Sequence, residues 1–400
     1  MKIVIIGNGL AGTMAAKSLR ELDSSVEIEV VAAERHPYYP RPNLIDFLAG
    51  KLPFEKLFAF PENWQSRQNI IIRTGEFVTG IETGRKRVET REGRSIAYDR
   101  LLLTAGSSPF IPPIKGAEKN RVFTVRTLDD AQAILESLKD HSNVAVLGGG
   151  LLGLEIARAL RERGATVAVY EFLDRLLPRQ LDPAAASLLK ARVEKAGIGV
   201  RLGVEVEEIL GEEAVSGLRL KGGDTAEADL VILAAGVKPN LFLARQAGLA
   251  ADRGLVVNDL LQTSHPAIFG AGDMIQHRDR VYGIIPASFD QARVAAFNLL
   301  SPEKRYEGTV PSTTLKILGI PVMSVGQILP DRAGFEILAK ESAEEGFYKK
   351  IVLRDGTIEG AIWMGTKKGA AEIARLAASR MNINPWKKDI LEDGFDFSGL

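Results

Sequence analysis

Short apolar runs broken by glycine-rich turns recur along the chain in a fixed order. Residues 2–6 (Lys-Ile-Val-Ile-Ile) form a β-branched run that reads as a buried strand. The turn Gly7-Asn8-Gly9-Leu10-Ala11-Gly12 follows, then a helix-like stretch over 13–22. The order repeats from residue 144: an apolar run over 144–147, the turn Gly148-Gly149-Gly150-Leu151-Leu152-Gly153, and a helix-like stretch over 154–163. Each copy continues into a second strand closed by an acidic residue, 28–33 before Glu34 and 166–170 before Glu171. Each later gives an apolar strand ending on small residues, 101–103 before Thr104-Ala105-Gly106 and 230–233 before Ala234-Ala235-Gly236. Such internal repetition predicts two copies of one nucleotide-binding plan.

Between the strands of each copy, 70–94 and 200–228 have the glycine-broken alternation of a small antiparallel layer. Pro109, Pro112 and Pro113 mark a crossing between domains. The last ninety residues carry no glycine fingerprint and mix short strands (349–353, 361–364) with a helix near 370–379. The expected fold class is therefore α/β, with two Rossmann-like dinucleotide-binding domains and a small α+β C-terminal domain. The division is 1–110 with 240–308, then 111–239, then 309–400.

Composition removes whole classes of chemistry. Lys+Arg and Asp+Glu both total 51, so no global basic excess points to nucleic acid or an anionic membrane. No apolar run approaches the ~20 residues of a membrane span. The N-terminal run is too short and too β-branched for a signal peptide, and a cytoplasmic location is expected. The cysteine count is zero, which excludes disulfides, thiolate-held iron–sulfur clusters and dithiol relays. The four histidines (His36, His141, His265, His277) show no metal-ligand spacing, so no metal site is expected.

A GxGxxG between a buried strand and a helix, with an acidic residue about 20 positions on, predicts a dinucleotide site. The first glycine makes the tight turn, the second lets diphosphate approach the backbone, and the third permits close packing of helix on strand. The helix N-terminus supplies free N–H groups and a partial positive charge, and the carboxylate takes the ribose hydroxyls. Gly7, Gly9 and Gly12 with Glu34 satisfy every clause, as do Gly148, Gly150 and Gly153 with Glu171. A carboxylate at Glu171 repels a 2′-phosphate and favours NADH over NADPH, although Arg175 and Arg179 follow closely.

On these motifs the chain resembles the two-dinucleotide flavoproteins of the pyridine-nucleotide–disulfide-reductase fold, over roughly residues 1–330. Thr104-Ala105-Gly106-Ser107 looks like that family's crossing beside FAD, Ala235–Asn240 like its G-x-x-P-N turn, and Gly270-Ala271-Gly272-Asp273 like its late G-x-G-D segment. The likeness implies that the first fingerprint holds FAD and the second NADH. It implies FAD contacts at Gly7, Gly9, Leu10, Ala11, Gly12, Glu34, Arg41, Pro42, Thr104, Ala105, Gly106, Gly272, Asp273, Pro286 and Ala287. NADH contacts are implied at Gly148, Gly150, Leu151, Leu152, Gly153, Glu155, Glu171, Ala235 and Gly236. A helix opening at Pro286-Ala287 would point its N-terminus at the flavin.

Within that family the likeness is to the cysteine-free branch, the NADH:rubredoxin oxidoreductases and the flavin module of the nitrite-reductase large subunit. It is carried by Tyr38-Tyr39-Pro40-Arg41-Pro42-Asn43-Leu44, Tyr282–Pro286 and residues 310–316. Thiol-using relatives need a cysteine near position 43, which here is Asn43. Related ferredoxin reductases pair a lysine with a fingerprint glutamate, but the matching position is Asp46. Glu155 therefore faces Arg41, orients the nicotinamide, or is a plain helix-surface carboxylate. The implied activity passes electrons from NADH through FAD to a one-electron carrier such as rubredoxin or ferredoxin, with no protein acid or base required. Lysine pairs at 367–368 and 387–388 are candidates to meet an acidic carrier. The alternatives are an NADH-oxidising flavin subunit of a larger redox complex and a redox-sensing NADH–flavin binding protein. Monomer and homodimer both remain open.

Overall fold

The computed structural model describes every residue except 310–311, 331–332, 343 and 399–400, and for 312–316 the backbone alone. The first two residues of the expected opening to the C-terminal domain, Val310 and Pro311, lie outside the described residues. The chain forms two compact units: Met1–Phe110 with Arg126–Ala131 and Val237–Thr309, and Ile111–Val125 with Gln132–Gly236 and Val310–Leu400.

In the first unit a five-stranded parallel sheet runs in the order Ile268–Gly270, Arg100–Leu103, Lys2–Ile6, Glu27–Ala32, Ile70–Thr74. Its central strands are β-branched and leucine-rich because both faces are covered: Ile3, Val4, Ile5, Leu101, Leu102 and Leu103 have no exposed surface. Burying each such side chain contributes about 1.5–3 kcal/mol. Helices Leu10–Leu22 and Ile285–Leu300 pack against one another beside this sheet. A separate antiparallel sheet is made by Val78–Glu82, Arg87–Thr90 and Ser95–Ala97.

The second unit repeats the plan. Ile198–Leu202, Thr166–Glu171, Asn143–Leu147, Leu230–Leu233 and Val122–Phe123 form its parallel sheet, in that order. Val206–Leu210, Gly217–Leu220 and Thr225–Glu227 form its antiparallel layer. The expected antiparallel stretches thus began too early. Residues 70–74 and 200–202 belong to the parallel sheets, and in 70–72 the unbroken Ile-Ile-Ile run, rather than alternation, carries that signal.

The C-terminal residues build a five-stranded antiparallel sheet, ordered Ser312–Ile317, Ile320–Gly326, Thr357–Met364, Phe347–Arg354, Glu336–Ser342, with helix Ala370–Ser379 packed on it. Two of its strands run to eight residues, longer than the short segments expected. Among the described residues no helix is long and apolar enough to cross a membrane.

Candidate functional site

The two glycine turns have the same geometry. Gly7 and Gly148 have φ of +110° and +124°, where a side chain is strained. A Cβ on Gly12 would lie 1.9 Å from the Gly7 carbonyl oxygen, and one on Gly153 would lie 2.0 Å from that of Gly148. These glycines let each helix start directly against its turn. Gly9 and Gly150 differ: a Cβ on either meets nothing within 4 Å. Both occupy N-cap positions, at φ −77° and −76°, of helices Leu10–Leu22 and Leu151–Glu162, and neither helix has a side-chain cap. The first N–H groups of each helix thus have no side-chain cap and follow a glycine with open space at its Cβ position, which suits a diphosphate. Leu10, Ala11, Leu151 and Leu152 lie in these first turns.

The helix Pro183–Lys195 shows the contrast. Its N-cap Asp182 accepts from the Ala185 N–H at 3.0 Å, so its amino end is already satisfied.

Around the first turn, Thr104 locks the backbone. Its N–H donates to the Ile6 carbonyl at 2.9 Å, and its hydroxyl lies 2.8 Å from the same oxygen. Glu34, just past strand Glu27–Ala32, accepts from the Tyr39 hydroxyl at 2.5 Å and from both terminal nitrogens of Arg41. Burial, with the Glu34 carboxylate beside it, pushes the Tyr39 hydroxyl above its ordinary pKa despite Arg41, so it stays a donor. Arg41 also donates to the Arg126 carbonyl. Asp273 accepts through Oδ2 from Ser107 Oγ at 3.0 Å and Arg126 Nη2 at 3.1 Å. Asn240 donates to the Ala105 carbonyl at 2.7 Å from its side chain and to the Gly106 carbonyl at 3.0 Å from its backbone. Strand Val237–Pro239 pairs with Ser107–Pro109 beside it. Pro286 stands in the first turn of helix Ile285–Leu300, and Ala287 is buried. Pro42 immediately precedes helix Asn43–Leu48.

Around the second turn, Glu171 ends strand Thr166–Glu171 and is 8% exposed. Its carboxylate accepts the Gly149 N–H at 2.6 Å and the Leu173 N–H at 2.8 Å. Arg175 turns to Asp174 at 2.7 Å, and Arg179 is exposed. Ala235 and Gly236, the latter at φ +108°, follow strand Leu230–Leu233.

Glu155 pairs with Arg158 at 2.9 Å, one helical turn on, and accepts the Leu318 N–H at 3.0 Å. Arg41 is engaged with Glu34. Lys387 is held by Glu336 at 2.9 Å, whereas Lys367, Lys368 and Lys388 are exposed.

Sequence reasoning missed Arg126 and the role of Tyr39. The signal for Arg126 was present in Arg126-Thr127-Leu128-Asp129-Asp130, a Thr-x-x-Asp capping box. The Asp130 N–H lies 3.1 Å from Thr127 Oγ1, and the Asp130 carboxylate accepts the Thr127 and Arg126 N–H groups at 2.8 and 2.9 Å. That cap fixes the backbone from which the Arg126 side chain reaches Asp273.

Comparison with known proteins agrees with this geometry. Residues 1–296 match the model of the pyridine nucleotide-disulphide oxidoreductase family, and residues 311–381 match the rubredoxin NAD+ reductase C-terminal domain. The chain is 37% identical over 389 residues to nitrite reductase [NAD(P)H] of Bacillus subtilis, covering 97% of this chain and 48% of that protein. It is 30% identical over 364 residues to the NADH-rubredoxin oxidoreductase of Clostridium acetobutylicum, covering 91% of each. The crystal structure of that NADH:rubredoxin oxidoreductase superposes with a TM-score of 0.83 at 27% identity, covering 96% of both chains. The chain spans about half the length of the nitrite- and nitrate-reductase relatives it matches. With two glycine turns of one design and matches over most of its length, the chain belongs to the pyridine nucleotide-disulphide oxidoreductase family.

Proposed function

We propose that the chain is an FAD-dependent NADH oxidoreductase that passes electrons to a small one-electron carrier protein of the rubredoxin or ferredoxin class, and we assign the reaction to the cytoplasm. One observation carries the reading: two uncapped helix N-termini, each beside an open glycine and each followed by a strand-end carboxylate. When bound, FAD supplies the exchange between the two-electron chemistry of nicotinamide and the one-electron chemistry of the carrier. That exchange suits a chain with no cysteine to hold electrons.

The protein's own residues bind and orient. In the first unit Gly7, Gly9 and Gly12 admit the FAD diphosphate to the N–H groups of Leu10 and Ala11, and Thr104, Ala105 and Gly106 line the same turn. Arg41 and Tyr39 occupy three of the roughly four acceptor positions of Glu34, leaving one for a ribose hydroxyl. Asp273 has its second oxygen free for the ribityl chain, while Ser107 and Arg126 hold the first. The amino end of helix Ile285–Leu300, at Pro286 and Ala287, offers a partial positive charge to an anion. In the second unit Gly148, Gly150, Gly153, Leu151 and Leu152 receive the NADH diphosphate, Glu171 takes the ribose, and Ala235 and Gly236 border the site. Glu155, fixed by Arg158 and Leu318, orients the nicotinamide. Hydride transfer requires alignment rather than a protein acid.

The similarity to NADH-rubredoxin oxidoreductase over 91% of both chains, and the C-terminal match, favour a small carrier. A second reading, the electron-input part of a larger redox complex, is favoured by the relatives of which this chain spans half. Anaerobic stopped-flow mixing with NADH separates the two. The flavin absorbance should bleach, and rubredoxin should restore it much faster than dissolved oxygen does. Equal rates refute the carrier assignment, and turnover only within a complex of fixed stoichiometry establishes the second reading. A colourless protein that takes up no FAD refutes both.

A further inference from the structure

Gln291 lies in the middle of helix Ile285–Leu300 and is 1% exposed. A buried amide is costly unless both its ends are partnered. Gln291 Oε1 accepts the Gly272 N–H at 2.9 Å, and Nε2 donates to the Tyr306 hydroxyl at 3.2 Å. The Tyr306 hydroxyl lies 2.8 Å from Thr309 Oγ1, which donates to Asp290 Oδ2 at 3.0 Å.

The carboxylate at the end sets the direction of the whole chain. Thr309 donates its one hydroxyl proton to the Asp290 carboxylate and so accepts from Tyr306. The Tyr306 oxygen then receives Gln291 Nε2, which leaves Gln291 Oε1 facing the Gly272 N–H. That N–H needs a side-chain acceptor. The sheet's ladder stops one residue earlier, where the Ala271 N–H donates to the Leu103 carbonyl at 3.1 Å, and Gly272 turns away at φ +86°. The next residue is Asp273.

We infer that Gln291 is a positioning residue for bound flavin, locking the Asp273 turn and helix Ile285–Leu300 into one frame. The inference rests on the FAD reading above and adds to it a residue that is not itself among the proposed cofactor contacts. Side chains that lock one another in networks can contribute more than their separate bonds. Losing this frame leaves Asp273 and the helix N-terminus free to shift relative to each other, and it leaves the NADH turn of the other unit untouched.

The test is Gln291→Leu, with FAD affinity read by reconstitution of apoprotein and the flavin midpoint potential read by dye equilibration. Leaving the Gly272 N–H without an acceptor, and the Tyr306 oxygen without its amide donor, should weaken FAD by about tenfold or more, with a shifted potential and an unchanged dissociation constant for NADH. Gln291→Glu, which keeps an acceptor for Gly272, should hold FAD within about threefold of wild type, a change of under about 1 kcal/mol. A Gln291→Leu protein that melts lower yet keeps wild-type FAD affinity and potential would show a plain core amide and overturn the inference. Should that variant not fold, Tyr306→Phe, which strands Nε2, carries the same comparison with the same two outcomes. Wild-type protein that binds no FAD would instead overturn the cofactor reading itself.

Discussion

Gly150→Ala separates a binding role from a folding role at the second turn. Gly150 has φ −76°, which alanine adopts freely, and the added methyl meets no atom within 4 Å. At an N-cap, alanine is poorer than glycine by up to about 1 kcal/mol. Loss of unfolded-chain freedom returns about 0.4–1 kcal/mol. The two nearly cancel, so the melting temperature should stay within roughly 2 °C of wild type. Binding should behave otherwise, because the methyl takes the space through which a diphosphate reaches the uncapped N–H groups. Forcing a methyl into a filled contact costs about 1–3 kcal/mol, so the NADH dissociation constant should rise by about 5- to 150-fold. FAD content, set in the other unit, should not change. The assay is NADH titration of the flavin-loaded protein beside a thermal melt. Gly153→Ala is the control for folding: its Cβ would sit 2.0 Å from the Gly148 oxygen, and it should lower stability outright. Wild-type NADH affinity in Gly150→Ala, with a normal melt, would refute the placement of the diphosphate at this turn.

Three further outcomes follow from the same geometry. Asp273→Ala should purify with little FAD, and Arg126→Met, which releases one of the two partners of Asp273 Oδ2, should lose FAD more readily than wild type on gel filtration; full occupancy in both would remove Asp273 from the site. Glu29 is buried between Lys2 at 2.7 Å and Arg73, and although burial alone would raise its pKa, these two cations hold it below the ordinary glutamate value. Its stabilisation is therefore complete above that ordinary value and is lost as pH falls through the lower, folded one. Glu29→Gln should flatten the acid limb of melting temperature against pH, and an unchanged limb would assign that limb to other carboxylates. Lys350→Met strips the ammonium from the buried Asp182, 2.8 Å away, and should destabilise by about 3–5 kcal/mol in a denaturant melt; a loss under about 1 kcal/mol would show that Tyr348 and the Ala185 N–H satisfy Asp182 alone.

The parts legible in the sequence were those set by short-range chemistry. A glycine turn between an apolar run and a helix is fixed by the backbone, so residues 7–12 and 148–153 announced their own geometry. The helix expected near 370–379 is found at Ala370–Ser379. What stayed hidden depends on partners remote in sequence. Arg126 gains its place only because Asp273, 147 residues away, folds next to it. Lys349 and Lys350 read as polar strand positions, yet they are 1% and 6% exposed. Lys349 is satisfied by the Leu391 carbonyl and Asp393, and Lys350 by Asp182. No local pattern tells a lysine with a buried counter-charge from one in water.

Their hydrogen-bond partners make the two carboxylates unequal, although the sequence presents them as equivalents. Glu171 is held by two backbone N–H groups, neutral donors that orient it and leave its charge in place. Glu34 is held by an arginine and a tyrosine from the segment that follows it, so its charge is balanced before any sugar arrives. A 2′-phosphate at the second site would meet an uncompensated negative charge, with Arg175 already turned to Asp174. At the first site it would meet a neutral pair. We therefore assign discrimination between NADH and NADPH to Glu171, and retention of a sugar rather than choice of one to Glu34, clasped by Arg41 and Tyr39. Charge removal at the two positions should accordingly differ in kind: Glu171→Gln should narrow the preference for NADH over NADPH, and Glu34→Gln should loosen FAD without changing which nicotinamide is used.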